Sequence, residues 1–525
     1  MGRHIQLLCG SFQPARTLEA LLLAGEMESA LADGGPESRQ FGAITDSLAD
    51  ALVRSLAIQD ANSLPAILDA THVPETLSLS VPEGFAHYAL HPLAFADVLD
   101  HVPATSSRVA VVGIRTIGAI LSAVTAAALR KRGFAAGRIT VRPAGHPYNR
   151  HTQLVPPETD FVKKEVAAGS GFLVVDEGPG LSGSSFLSVG EALVQAGVPR
   201  ESITLICSHA PRFDHLCAEN AAHRGRQFRW VAVPQEVRRP HEAEVWIGGG
   251  EWRRYSMPHQ SAWPASWLNF ERLKYLSADP AQPRFYKFLG LGHYGREVFD
   301  REARLAVSGF AVPPQMESAG FASYPFVKGR PMSAADTSEK VLARLAAYCA
   351  CRTQEFPVES ADVAALQQMA EHNLRQLRFE VPVSLQLERP VIADSRIQPH
   401  EWLLTSARQM LKTDSGSHGD DHFFPGPVDI AWDLAGAIVE WQMSPAAMKA
   451  FLEMYRRASG DHAEKRIADY ITAYAVFRCA YCLMAANAMQ GSEEGGRLEN
   501  AAGFYGAGLP FNCRLTKLPT YQLQE

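Results

Sequence analysis

Between about residues 105 and 235 the chain alternates short, almost wholly apolar runs with stretches of helical period. RVAVVGI (108–114) is followed by AILSAVTAAALRKRG, then RITVRP (138–143); GFLVVDE (171–177) is followed by SFLSVGEALVQAGV, then SITLICSH (202–209) and FRWVAVPQ (228–235). Runs that are apolar on both faces predict strands buried on both sides, and the helical stretches predict crossovers between parallel neighbours. Such an alternation predicts an α/β fold, a doubly wound parallel sheet of about five strands. Helical patterns around 16–32 and 43–57 and a polar, Pro-containing connection at 72–84 read as an N-terminal elaboration of that domain.

The pattern changes near residue 240, after EVRRPHEAE. Residues 242–330 read as strands and turns, and from about 334 onward the period is mainly helical, as in SEKVLARLAAYCACR and KRIADYITAYAVFRCAYCLMAANAM. A small strand-rich lobe followed by a larger helical one predicts a second, two-lobed α+β domain. The expected division is 1–240 and 241–525.

Length and composition fit this picture. A chain of 525 residues suggests two to four packed units, and 46% hydrophobic with 20% charged residues excludes global disorder. The net charge of −6 gives no surface suited to coating nucleic acid. No run of about 18 apolar residues lacks a charge, so no membrane span or membrane partner is expected. The first thirty residues lack the pattern of a signal peptide, and a cytoplasmic location is expected. Eight cysteines are too few for a disulfide framework. Cys349 with Cys351, and Cys479 with Cys482, lie in apolar helical stretches and read as buried helix cysteines rather than a zinc or redox site.

Ligands of doubly wound sheets bind at the carboxyl ends of the strands. The run at 171–177 ends in Asp176-Glu177 and continues Gly178-Pro179-Gly180-Leu181-Ser182-Gly183-Ser184-Ser185 before a helix. Two carboxylates there suit ribose hydroxyls, directly or around a metal, and a Gly/Ser turn at a helix start suits a phosphate. Either feature alone is common in such sheets; the two in succession fit a ribose carrying a 5′-phosphate. In this order, VVDEGPGLSGSS resembles the signature of the phosphoribosyltransferase family, with serines at the threonine-type positions and a spacer one residue longer.

That resemblance covers roughly residues 75–240 and implies a sheet of phosphoribosyltransferase type. It implies that Arg115-Thr116-Ile117-Gly118 forms a pyrophosphate-binding loop and that 142–150 supplies a mobile basic flap, with Arg150 at its end. It further implies phosphate or phosphoribosyl binding by Arg115, Thr116, Gly180, Ser182, Gly183, Ser184 and Ser185. The implied reaction is displacement at the anomeric carbon of phosphoribosyl pyrophosphate, with pyrophosphate leaving as a magnesium complex. Asp176 and Glu177 would be catalytic, Asp176 also a metal ligand. The acceptor, an unidentified small molecule, would meet a hood in which VPEGFAHYALHP (81–92) supplies aromatic residues, although these read equally well as core.

A second constellation begins at PRFYKFLGLGHYGREVFDREARLAVSGFAVPP (283–314). A strand lysine is seldom buried without a partner, and Glu302 on the next helix is the natural partner of Lys287. SYPFVKGRPM (323–332), RPVIADSRIQPHEWLL (389–404), QMLKTDSGS (409–417) and PVDIAWDLAGAIVEW (427–441) follow. This succession resembles the aminoglycoside-phosphotransferase branch of the kinase-like fold over roughly 245–490. The resemblance implies nucleotide binding by Lys287 and Glu302, a catalytic Asp394, a metal-binding Asp414 and a helix-start Asp433, with ATP and magnesium as cofactors. The chain departs from the family in having Ile392-Ala393 before Asp394, and His400 or Glu401 where a metal-binding Asn is expected. Gly290, Gly292 and Gly295 fit G-x-G-x-x-G, yet no βαβ unit follows, so they read as shaping the Lys287–Glu302 connection.

The leading expectation is therefore a phosphoribosyltransferase fused to a small-molecule-kinase-like domain that phosphorylates the first product or gates the first domain. The alternative is a non-catalytic sensor that binds phosphorylated metabolites. A homodimer is compatible with either.

Overall fold

The computed structural model describes residues 13–34, 39–55, 77–103, 106–233, 237–279, 281–417, 419 and 423–507. The described residues pack as two units, those up to 233 and 237–239 with 290–295, and those of 240–289 with 296–507.

The first unit is built on five parallel strands, β1 (Arg108–Ile114), β2 (Ala135–Val141), β3 (Gly171–Val175), β4 (Ile203–Cys207) and β5 (Arg229–Ala232), in the order β2-β1-β3-β4-β5. β3 and β4 are buried at every position, which is why they lack polar alternation. The sheet edges are shorter than the apolar runs suggest. The 138–143 run is a strand only to Val141, and the 228–235 run only over Arg229–Ala232.

Helices α1 (Pro14–Gly34) and α2 (Arg39–Arg54) pack with α3 (Ile117–Lys131), the crossover from β1 to β2. Val162 of α4 (Pro156–Ala167) and Phe186, Leu187, Val189 and Leu193 of α5 (Ser184–Gln195) pack in one cluster with Ala110, Val112 and Val174 of the sheet. α1 and α2 are fastened to β2 by Arg138. Its guanidinium bonds Glu28 at 2.8 and 3.0 Å and Asp46 at 2.8 Å, with its side chain 3% exposed. Residues 56–76, including part of the predicted 72–84 connection, lie outside the described residues.

Chain order reverses between β1 and β3. From β1 the chain moves outward to β2, then returns to the other side of β1. The loops after β1 and β3 consequently lead in opposite directions, and the carboxyl ends at such a switch point are where ligands of doubly wound sheets bind.

The second unit opens with an antiparallel sheet in the order β6-β7-β8-β10-β9, comprising β6 (Val245–Trp246), β7 (Lys274–Leu276), β8 (Arg284–Phe288), β9 (Gln315–Met316) and β10 (Phe321–Pro325). α6 (Gly292–Val307) joins β8 to β9. Next come β11 (Gly329–Pro331), α7 (Glu339–Glu355), α8 (Val363–Gln376), β12 (Pro390–Val391), β13 (Trp402–Thr405), β14 (Met410–Lys412) and β15 (Val428–Asp429). α9 (Ala431–Glu440), α10 (Pro445–Ser459), α11 (Ile467–Ala488) and α12 (Glu493–Ala507) follow. Trp402, Trp432, Trp441, Tyr348 and Tyr474 fill the core of the helical part, Trp402 contributed by β13 and the other four by α7, α9, α11 and the residue after α9. α11 is long and apolar enough to cross a membrane by length and composition, and 67% of its most apolar window is buried within the protein, as for a core helix that is apolar all round. It carries the buried Cys479 and Cys482; Cys349 is buried and Cys351 partly so, and all four are free thiols.

Candidate functional site

The chain segments that follow β1, β2 and β3 meet at the carboxyl ends of the sheet. Asp176 and Glu177 are the first two residues beyond β3, just outside the strand. Asp176 Oδ1 accepts the Glu177 amide at 2.9 Å. Glu177 Oε2 accepts the Gly84 amide at 3.1 Å, and its carbonyl accepts the Ser208 amide at 2.7 Å. Burial raises both carboxyls, to about 7 for Asp176 and about 8 for Glu177. For Glu177 the neighbouring charges of Asp176 and Glu83 add to the effect, whereas Arg142 opposes it at Asp176. Two adjacent, poorly solvated carboxyls of this kind are more often found at functional sites than elsewhere.

The turn after them is made possible by Gly180 (φ +62°) and Gly183 (φ +69°), the latter standing immediately before α5. Ser184 is buried and Ser182 partly so. Both hydroxyls donate to the carbonyl of Pro147, at 2.8 Å from Ser182 and 2.5 Å from Ser184. The 142–151 segment, closed by the Ala144–His151 bridge, is thus folded over the turn, with a carbonyl oxygen on the donors a phosphate would need.

Arg115 and Arg142 meet at Asp33 of α1. Arg115 Nε lies 3.0 Å from Asp33, and Arg142 approaches it at 2.5 Å while donating to the Arg115 carbonyl at 2.8 Å and to Thr116 Oγ1 at 3.2 Å. Burial pulls the Arg115 guanidinium below its ordinary value. Arg150 lies elsewhere, lining a polar cavity of about 430 Å³ with His151, Glu191 and Arg224. In the 81–92 segment, Phe85 is buried core rather than a pocket wall, while His87 and Tyr88 are partly exposed. Asp33 escaped the sequence reading, and Gly84 and Pro147 lie in segments it singled out (81–92 and 142–150) without their contacts being foreseen. Each reaches the site through distant chain, and a glycine or carbonyl carries no compositional signal.

Hard oxygen donors suit magnesium, which commonly combines one or two carboxylates with phosphate oxygens and waters. Asp176 and Glu177 fit that role. Among the described residues no group of three or more His, Cys, Asp or Glu could hold a metal by itself.

In the second unit the structure brings Lys287 to Glu302 at 3.6 Å and to Asp414 at 2.5 Å. Glu302 also accepts from the Tyr324 hydroxyl. Lys274 stands directly opposite Lys287 across β7 and β8, a pairing of like charges that is unfavourable alone. Asp414, 4.0 Å from the Lys274 ammonium, and Glu271, at 3.0 Å, offset it.

Asp394 is fully buried. It accepts from the Tyr348 hydroxyl and lies 3.4 Å from Lys412 Nζ, while its backbone amide and that of Ser395 donate to Asp433, each at 2.8 Å. Burial raises Asp433 to about 6, against the influence of Arg352. Lys412, the last residue of β14, also bonds Glu401 at 2.8 Å and the Asp414 carbonyl. Asp414, the residue expected to hold magnesium here, is taken up by Lys287 and Lys274, and their positive charge does not fit a divalent cation beside it. Lys412 carries the same signal that exposed Lys287, a lysine in an apolar strand, and was legible in principle.

No family model matches the chain, and no curated protein does. Solved structures show likeness over part of it, three of them as follows. A choline kinase from Streptococcus pneumoniae is 14% identical over 45% of this chain and 89% of its own, with a TM-score of 0.32. A choline/ethanolamine kinase family protein from Mesorhizobium loti is 14% identical over 46% and 86%, with a TM-score of 0.33. An aminoglycoside phosphotransferase from Alicyclobacillus acidocaldarius is 14% identical over 45% and 85%, with a TM-score of 0.32. Likeness at this level assigns neither activity nor substrate.

Proposed function

We propose that the first unit binds a phosphoribosyl diphosphate with magnesium and transfers its phosphoribosyl group to a small molecule, and that the second unit binds a nucleotide through Lys287. The observation that carries the first part is the pair Asp176–Glu177, raised by burial at the β1/β3 switch point and followed by the Ser182–Ser184 turn. In this reading the carboxylates hold the ribose hydroxyls and offset positive charge that develops at the anomeric carbon as the diphosphate bond breaks. Ser182, Ser184 and the first amides of α5 hold the 5′-phosphate, which replaces the Pro147 carbonyl on the two hydroxyls. Arg142 holds the loop at 115–116 against Asp33 so that it can receive the diphosphate. Magnesium, held by Asp176 and substrate oxygens, would neutralise the leaving group.

The test is pyrophosphate release from phosphoribosyl pyrophosphate across a panel of candidate acceptors. Release should vanish in the Asp176→Asn/Glu177→Gln protein; release that survives it removes the site from the reaction. For the second unit, ATP should raise the melting midpoint, and Lys287→Ala should abolish that rise. An unchanged rise would place the nucleotide elsewhere.

A sensor without turnover in the second unit is favoured by one feature. Asp394 is fully buried, with its carboxylate engaged by the Tyr348 hydroxyl and the Lys412 ammonium.

A further inference from the structure

We infer that the Lys412 ammonium occupies the place of a divalent cation in the second unit, which therefore works without a bound metal. The ammonium is enclosed by three oxygen donors from three places in the chain: Glu401 Oε2 at 2.8 Å, Asp394 Oδ2 at 3.4 Å and the Asp414 carbonyl. Such a set, two carboxylates and a carbonyl, is what a hard cation would gather. The Lys412 side chain has no solvent exposure. Its backbone amide is pinned to the Phe310 carbonyl at 2.8 Å, which holds the residue in place at the end of β14.

The remaining acids are matched in the same way. Glu271 has Lys274 at 3.0 Å, Glu302 has Lys287 at 3.6 Å, and Asp414 has Lys287 at 2.5 Å and Lys274 at 4.0 Å. Three lysines thus distribute their charge over five carboxylates. A divalent ion entering among them would sit beside Lys412 and Lys287 in a poorly solvated interior, where like charges repel strongly. The charge a metal would bring is already built into the sequence.

The inference rests on the nucleotide-binding reading only for where a cation would be expected. Its test is Mn²⁺ titration by electron paramagnetic resonance of the full chain carrying Asp176→Asn/Glu177→Gln, which removes the carboxylates of the first unit. No bound Mn²⁺ is expected, and any ATP-induced rise in melting midpoint should be equal in magnesium and in EDTA. Lys412→Ala in the same background should acquire one Mn²⁺ that Glu401→Gln, which removes a carboxylate facing Lys412, releases again. Mn²⁺ bound while Lys412 is present and lost with Glu401→Gln would overturn the inference, as would an ATP shift that requires magnesium. Should Lys412→Ala fail to fold, the Lys412-containing protein decides alone. Absence of any ATP shift would sink the nucleotide-binding reading while leaving the Mn²⁺ result to judge the metal.

Discussion

The amide of Gly84 donates to Glu177 Oε2 at 3.1 Å across 93 positions of sequence, and a Cβ at position 84 would come within 2.7 Å of that carboxylate. The absence of a side chain at 84 is what lets the 81–92 segment approach and orient one of the two acids after β3.

Gly84→Ala should therefore displace Glu177 while leaving the sheet intact. Affinity for phosphoribosyl pyrophosphate with magnesium, measured by calorimetry, should fall on the order of tenfold, or about 1.4 kcal/mol. Unchanged affinity would mean that the Glu177 carboxylate does not meet the ligand.

The acid pair also sets a pH dependence. Unfolded, these carboxyls ionise near pH 4; folded, they do so at about 7 and about 8. Between those limits the native state binds more protons than the unfolded one, so this contribution to stability is greatest at low pH and declines as pH rises towards 8. Asp176→Asn should leave the melting midpoint of the first unit unchanged near pH 4 and raise it at pH 8. A lower midpoint at pH 8 would show that the carboxylate is stabilising there.

Arg138 joins α1, α2 and β2 through Glu28 and Asp46. Arg138→Met leaves Glu28 buried without its partner and should cost about 3–5 kcal/mol by denaturant unfolding of the first unit. Adding Glu28→Gln should recover part of that loss. A cost below about 1 kcal/mol would mark the pair as solvated in solution.

Asp433 holds the backbone amides of Asp394 and Ser395 and lies 3.6 Å from Arg352 Nε. Asp433→Ala orphans two buried amides and weakens the balance of a buried guanidinium, and should destabilise the second unit by about 3 kcal/mol or more. Denaturant unfolding that shows no loss would refute the assigned role.

Much of the architecture was legible because it is written in local periodicity. Five apolar runs with helical stretches among them lead to a parallel sheet, and Asp176, Glu177 and the Gly/Ser turn are contiguous with β3. Lys287 and Glu302 were legible as partners because a charged residue in an apolar strand demands one, and the following helix supplies it. Strand order was not legible, since a crossover of the same composition can return on either side of β1. The contacts of Gly84, Asp33 and Pro147 were equally hidden, because they join segments far apart in sequence through groups of no distinctive type.

The sequence by itself determined where the strands of the first sheet begin to form, that a Gly/Ser turn follows Asp176-Glu177, and that Lys287 must find a partner. Only the tertiary structure decided which partners the buried charges take. It set Lys412 among Glu401, Asp394 and Asp414, because desolvation makes every buried charge take the nearest opposite one that packing allows. Which one is nearest is a property of the folded chain, not of spacing along it.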